Sequence, residues 1–289
     1  MPELPEVETV RRRLEPALVG RTLVRVEISD PRLVRPVGTE EAARALEGER
    51  VVAVRRRGKY LIVCFGSGRS LLIHLRMTGS LRHGPSGSLP DDPHRRAVVT
   101  LDDGSDVAYR DVRRFGTWAL LEAEELEPYL SARLGVEPLA RSFTARALGT
   151  RLEGRRAPIK AALLDQRSLA GMGNIYVDEA LWRAGIHPLR PAGELSPAEL
   201  RRLHRGIRGA LTAGIARQGA TLRDYATPNG EPGTMQHEFK VYGRAGERCP
   251  RCRTAIEKMR TGGRGTSFCP RCQPLTQQER VRPAMPTRS

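Results

Sequence analysis

The chain is short of aromatic residues, of cysteine and of acidic charge. Its 289 residues include 5 Phe, 2 Trp and 6 Tyr. A platform that stacks the bases of a single strand needs repeated aromatics, so the composition argues against that class. Hydrophobic residues make up 39%, and no run approaches the roughly 18 apolar residues of a membrane-spanning helix. No membrane partner is therefore expected. The opening Met1-Pro2-Glu3-Leu4-Pro5-Glu6 is acidic and broken by proline, without the apolar core of a signal peptide, so the expected location is the cytoplasm.

The acidic deficit is the most informative of these. Against 49 Lys+Arg stand 33 Asp+Glu, for a net charge of +16 and a pI near 10.7. Guanidinium groups bind phosphate bidentately and stay charged, so the surplus points to a polyanion. A general compositional drift toward Arg is the bland alternative. With few aromatics, duplex DNA held through its phosphates is the better match. The length suits two domains with a real core.

Pro5 stands where a first helical turn tolerates proline, and Val7, Val10 and Leu14 fall on one face of the helix it opens. Short β-branched runs at 23–28, 50–54, 60–65, 70–74, 97–101 and 107–109 are separated by Gly, Pro and Asp. Regular short strands with turn signals predict a sandwich or barrel. A helical pattern at 42–46 interrupts them. Past Trp118 the texture turns helical, at 157–165, 176–184 and 196–217. Ser196-Pro197-Ala198-Glu199 is a capping-box start. Segment 226–234, rich in Pro, Gly and Asn, predicts a mobile loop. The boundary between the β half and the helical half falls near residue 130.

Four of the five cysteines form Cys249-x2-Cys252-x16-Cys269-x2-Cys272. This spacing matches a structural zinc site with four thiolates. Two disulfides are the alternative, disfavoured in a cytoplasmic chain. The fifth, Cys64, lies in a strand run and is expected as a buried small hydrophobe. Between the knuckles lie Lys258 and Arg264, the latter flanked by Gly262, Gly263 and Gly265. A hairpin with metal at its base and Arg at its tip would present that charge to a phosphate; an ordinary solvated turn is the alternative.

Pro2 is the sharpest chemical signal. Removal of Met1 would leave a secondary amine that titrates near pH ~8, able to attack a sugar C1′ and form an iminium. Alone, Met-Pro-Glu is an ordinary helix entry. It does not stand alone. The run from Met1 to Thr9, Arg57-Gly58-Lys59-Tyr60-Leu61, His74-Leu75-Arg76-Met77-Thr78-Gly79-Ser80, Asp111-Val112-Arg113-Arg114-Phe115-Gly116, Gly171-Met172-Gly173-Asn174-Ile175-Tyr176 and Val241-Tyr242-Gly243-Arg244, with the zinc cysteines, together resemble the formamidopyrimidine-DNA glycosylases. They occur in that family's order and cover residues 1–272.

The resemblance implies an α+β fold: an N-terminal two-layer β-sandwich with flanking helices (1–130), a helix–two-turns–helix domain with a lesion-capping loop (131–235), a zinc hairpin (236–272) and a disordered basic tail (273–289). DNA would run through the cleft between the halves. It implies catalytic roles for Pro2 as nucleophile, Glu3 as proton shuttle and Lys59 at the damaged nucleotide. Met77, Arg113 and Phe115 would fill the hole left by the extruded nucleotide, with Arg114 beside them on the DNA. Asn174 and Arg264 would pinch the backbone, with His74 and Lys258 as further phosphate contacts. One structural zinc ion and a monomer are implied, in a bacterial, nucleoid-associated protein. Arg76 and Val112 depart from the family's usual Gly and Pro. The 219–236 loop is shorter than in many members and lacks their aromatic after Pro-Gly.

The implied function is excision of oxidised purines (8-oxoguanine, formamidopyrimidines) with strand cleavage by β,δ-elimination. The endonuclease VIII branch, which prefers oxidised pyrimidines, is the alternative, and Leu4 argues against it. A non-catalytic DNA-binding protein on the same scaffold is the other. Phosphate clamping predicts steep salt dependence, because each Lys/Arg–phosphate contact releases counterions. Affinity for a lesion duplex, titrated from low to moderate salt, should fall by orders of magnitude; a flat titration would remove the clamp.

Overall fold

The computed structural model describes residues 2–275; the expected basic tail lies outside the described residues from 276 onward. Two compact units result. The first comprises the chain up to Gly135 together with Thr212–Glu238; the second comprises Val136–Leu211 and the segment from Phe239 onward.

The first unit is a two-layer antiparallel sandwich. One sheet has the order β1-β6-β7-β5, from Leu23–Ile28, Arg95–Leu101, Ser105–Arg110 and Ser80–Pro85. The other has the order β2-β3-β4-β8, from Val51–Arg57, Tyr60–Phe65, Ser70–His74 and Thr117–Leu121. One apolar core takes Val26, Leu81, Val99, Val107 and Tyr109 from the first sheet and Val54, Leu61, Val63, Leu71, Ile73 and Trp118 from the second. Helix α1 (Leu4–Leu18) closes it with Val7, Val10, Leu14 and Leu18, the 3.6-residue stripe of an amphipathic helix. Helix α2 (Thr39–Leu46) packs on β1, and α3 spans Ala123–Ser131. Tyr225 belongs to the same core. Its position there explains why 212–238 groups with the sandwich.

Segment 219–236 is irregular but tied internally. The Thr221 hydroxyl accepts from Gly233 N–H at 2.9 Å, the Thr221 N–H donates to Gln236 Oε1 at 3.0 Å, and Thr227 N–H donates to the Glu231 carbonyl at 2.9 Å. Cys64, expected buried, is half-buried. It pairs with Ala53 and Ser70 on the less covered side of β3.

The second unit is helical: α4 (Ala145–Leu152), α5 (Ile159–Leu164), α6 (Asn174–Ala184) and most of α7 (Pro197–Ala216). The predicted capping box forms at α7, with Ser196 N–H on Glu199 Oε2 at 2.8 Å and Glu199 N–H on Ser196 Oγ at 3.3 Å. A hairpin of β9 (Glu257–Thr261) and β10 (Arg264–Phe268) completes the unit. Gly262 and Gly263 make its two-residue turn with φ of 57° and 73°. Positive φ at both central residues is what a tight type I′ hairpin requires. Among the described residues, no helix is long and apolar enough to cross a membrane.

The chain crosses between the two sheets at 75–79, which joins β4 to β5, and at 111–116, which joins β7 to β8. At the end of the latter, a Cβ on Gly116 would come within 1.7 Å of the Tyr109 hydroxyl. Gly116→Ala should therefore destabilise the protein by about 1–3 kcal/mol, seen as a lower urea midpoint at unchanged slope. An unchanged midpoint would mean that this crossing can lift off Tyr109.

Candidate active site and nucleic-acid interface

In the first unit, Pro2 and Glu3 lie buried at the start of α1. Glu6 fixes the Glu3 end of this pair. Its Oε2 accepts the Glu3 N–H at 2.9 Å and its Oε1 accepts the Ala220 N–H at 2.8 Å. One carboxylate thus satisfies an otherwise orphaned helix-start donor and fastens the 219–220 backbone to the same point. The next turn carries Glu8, whose carboxylate takes Arg11, Arg12 and Arg56. Burial acts to raise its pKa, but the three guanidinium groups outweigh that and hold it below the usual range. Arg56 in turn donates to the Gly58 carbonyl at 3.0 Å. This fixes the tight β2–β3 turn, where Gly58 has φ 57°, and with it Lys59.

Strand register brings Lys59 and His74 to one sheet end, because Tyr60 pairs with His74 across β3 and β4. Both side chains are largely buried, at 8% and 9% exposure. The Tyr60 ring packs edge-on against the imidazole, with centroids 4.8 Å apart. The Arg76 N–H donates to His74 Nδ1 at 3.0 Å, so the neutral ring carries its proton on Nε2. Burial, then the charges of Arg76 and Lys59, push the His74 pKa down to about 3. His74 is therefore a neutral N–H donor at physiological pH, not a cation.

Met77 is half-buried in the 75–79 crossing, while Arg113, Arg114 and Phe115 are exposed in the 111–116 crossing. Asp111, 1% exposed, joins the two. It accepts from the Thr78 hydroxyl, from the Arg113 N–H at 3.2 Å and from the Gly116 N–H at 2.7 Å. The Arg113 guanidinium sits 4.7 Å over the Phe115 ring, and Phe115 is 52% exposed. Arg114 behaves differently from its neighbours: it is held in a bidentate ion pair by Asp30, both contacts at 2.7 Å. Arg76, where the family pattern has Gly, adopts φ 51°, which is the left-handed conformation that favours Gly.

In the second unit, Asn174 opens α6 behind Gly171 (φ 85°) and Gly173. Its Nδ2 donates to the Gly265 carbonyl at 2.9 Å. Lys160 reaches the same carbonyl at 2.9 Å and bonds Asp178 Oδ1 at 2.6 Å, with both side chains at 0% exposure. Asp178 Oδ2 accepts the Ser267 N–H at 2.9 Å. Burial pushes the Asp178 carboxyl up to about 6 against the pull of Lys160. Strand β10, which starts at Arg264, is thus locked to α6. Arg264 directly succeeds the hairpin turn and Lys258 lies on β9; both are exposed. Glu179, also fully buried, gathers the N–H groups of Lys240, Val241 and Tyr242 at 2.8, 2.9 and 3.1 Å.

Cys249, Cys252, Cys269 and Cys272 form the one His/Cys/Asp/Glu cluster of metal-binding geometry among the described residues, their sulfurs all within 4.8 Å of one another. The Cys249–Cys272 and Cys252–Cys269 separations are 3.9 and 3.4 Å. A tetrahedral zinc with Zn–S of about 2.3 Å demands edges near ~3.8 Å, so the residues fit the ion. All ligand positions are taken by protein, which makes the zinc structural. Trp182 Nε1 donates to Cys249 Sγ at 3.4 Å, and Gln273 Oε1 accepts the Cys269 N–H at 2.9 Å.

The sequence points to the site residues, buried and exposed alike, and not to the carboxylates that anchor them. Asp30, Asp178 and Glu179 carry no sequence assignment, and Glu6 and Asp111 enter only as parts of motifs. Glu6 alone has a local signal, three residues after Glu3 at a helix start.

Residues 1–118 match the formamidopyrimidine-DNA glycosylase N-terminal domain, 134–226 the formamidopyrimidine-DNA glycosylase H2TH domain, and 246–275 the zinc finger found in FPG and IleRS. The chain is 48% identical over 260 residues to the formamidopyrimidine-DNA glycosylase of Chloroflexus aggregans, covering 90% of this chain and 94% of that one. It is 44% identical to the Streptococcus thermophilus protein of that name, over 91% and 96%. It is similar to Lactococcus lactis Fpg in complex with abasic-site DNA (TM-score 0.88, 40% identity, 94% and 100% covered). It is also similar to MutM in complex with DNA containing carbocyclic 8-oxo-G (TM-score 0.87, 40% identity, 95% and 100% covered). The chain belongs to the formamidopyrimidine-DNA glycosylase family.

The neutral state of His74 has a pH consequence. The unfolded ring titrates near its ordinary 6.5 and the folded one near 3, so between these values the unfolded chain holds more protons. The contribution of His74 is complete above pH 6.5 and is lost as pH falls through about 3, at up to ~1.4 kcal/mol per pH unit. Urea midpoints should fall less for His74→Gln than for the parent between pH 6.5 and 4.5. Parallel falls would show that His74 does not carry the dependence.

Proposed function

We propose that this chain is a bifunctional DNA glycosylase and AP lyase of base-excision repair. It removes oxidised purines from duplex DNA and cleaves the strand at the resulting abasic site. One observation carries the reading: Pro2 and Glu3 lie buried side by side at the start of α1, with the Glu3 N–H fixed by Glu6, in a chain related along about nine-tenths of its length to formamidopyrimidine-DNA glycosylases.

In this reading Pro2, once it is the amino terminus, attacks C1′ of the extruded nucleotide as a secondary amine. The C1′–N bond breaks, the base leaves with a proton, and the opened sugar is held as an iminium. Glu3 moves protons at the sugar ring oxygen and the leaving group. Loss of a C2′ proton expels the 3′ phosphate, and a second elimination expels the 5′ phosphate. Lys59 and neutral His74 hold phosphate oxygens beside the reacting sugar. Met77, Arg113 and Phe115 fill the vacated stack; flipping costs a few kcal/mol, which such an insertion offsets. Asn174, Lys258 and Arg264 grip the backbone. Zinc fixes the hairpin and takes no chemical step. We place the protein in the cytoplasm, acting as a monomer.

The test is borohydride trapping with a duplex bearing one 8-oxoguanine opposite cytosine. A covalent protein–DNA band is expected for the parent and its loss for Pro2→Gly. A band only with an oxidised pyrimidine would move the protein to the endonuclease VIII-like branch. No band with either lesion, with tight duplex binding retained, would leave a DNA-binding protein without the lyase.

A further inference from the structure

Arg114 lies between Arg113 and Phe115, the residues assigned to the vacated stack, and its side chain is 38% exposed, yet its guanidinium is taken by a buried carboxylate. Asp30, 3% exposed, takes it through both oxygens, Oδ2 from Nε and Oδ1 from Nη2, at 2.7 Å each. The Asp30 side is itself fixed. Its Oδ1 also accepts the Arg32 N–H at 3.0 Å and its carbonyl accepts the Leu33 N–H at 3.0 Å. The Leu33 carbonyl accepts the N–H of Trp118 at 2.7 Å, at the start of β8 just beyond Phe115. Arg114 meanwhile adopts φ 59°, a conformation that is unfavourable for a long side chain and persists only where surroundings enforce it. Asp111 pins both ends of the crossing and the Asp30 pair pins its middle. Between those pins Arg113 and Phe115 project.

We propose that Arg114 is a positioning residue: paired with Asp30, it holds the 111–116 crossing in the left-handed turn that projects Phe115 and Arg113, and it does not itself grip phosphate. This rests on the assignment of Phe115 to the vacated stack under the proposed function. A fork-shaped guanidinium matched to a carboxylate suits this use, and lysine does not replace it.

The two roles open to Arg114 give opposite signs for Asp30→Asn. If Arg114 positions, loosening the pair weakens insertion. If Arg114 is a phosphate contact restrained by Asp30, loosening it frees a cation and tightens binding. The probe is a duplex with a tetrahydrofuran abasic analogue and a neighbouring 2-aminopurine, whose fluorescence rises on unstacking. Expected for Asp30→Asn and for Arg114→Gln are loss of most of that rise and about tenfold weaker binding, with an unchanged slope of log affinity against log salt. The double exchange Asp30→Arg with Arg114→Asp, which restores an ion pair and puts Asp at the left-handed position, should regain the signal.

Tighter binding by Asp30→Asn, or a slope reduced by about one in the uncharged variant Arg114→Gln, would overturn the assignment. So would parental fluorescence in both single variants. Should Asp30→Asn fail to fold, Arg114→Gln and its salt slope decide alone. Phe115→Ala separates the two levels. A parental signal there removes the insertion reading and this assignment with it; loss there, with parental signals in the Asp30 and Arg114 variants, removes this assignment alone.

Discussion

Buried carboxylates that each gather several donors are the constraint on which this structure depends. Glu6, Asp30, Asp111, Asp178 and Glu179 are all 3% exposed or less. All but Glu179 lie beneath a segment with a proposed role, the helix start, the 111–116 crossing or the hairpin strand; Glu179 fixes the 240–242 turn. An isolated carboxylate in such surroundings would be expensive, and one that receives two or three N–H groups or a guanidinium is not. Charge-assisted bonds of this kind contribute about 1.5–3 kcal/mol each. More to the point, their directionality leaves the backbone above them one arrangement. In a chain with a net charge of +16, acidic groups used as internal anchors also leave cations as the outward-facing majority.

This arrangement sorts the proposed site residues into two kinds. Pro2, Glu3, Lys59 and His74 are buried or nearly so, the first two at the start of α1 and the others at one end of a sheet. Arg113, Phe115, Lys258 and Arg264 stand exposed on short turns or a two-stranded ribbon. The first kind gains from a fixed environment, because proton transfer and nucleophilic attack need atoms placed to within fractions of an ångström. The second kind must meet a large polyanion, so reach and charge matter most. Rigid anchors beneath exposed tips reconcile the two demands, because tips that are already ordered lose little freedom on contact.

Much of this is legible in the sequence where the signal is local. Strands 23–28, 60–65 and 70–74 coincide with β1, β3 and β4, and the Ser196–Glu199 capping box forms as the spacing requires. The zinc spacing needs no context. Elements with mixed signals escape. Strand β5 contains Gly84 and Pro85 and survives as an edge strand, where a missing N–H is tolerated. Helix α3 carries Pro128 and α4 carries Gly149, both poor helix formers. The anchors escape for a different reason. Asp30 and Arg114 are 84 residues apart, and Glu6 and Ala220 are 214 apart. No periodicity announces such pairs; they become visible only when the register of the sheets is known.

The bond from Trp182 to Cys249 also makes the molecule its own reporter. The chain has two tryptophans, one in each unit: Trp118 inside the sandwich core and Trp182 against a zinc thiolate with Arg251 stacked 4.2 Å over its ring. Thiolate and cation contacts of that sort alter indole emission, whereas Trp118 has neither. Emission from one ring follows the sandwich, and emission from the other follows metal occupancy. Loss of the ion and unfolding of the β unit therefore carry separate optical signatures in the unlabelled protein.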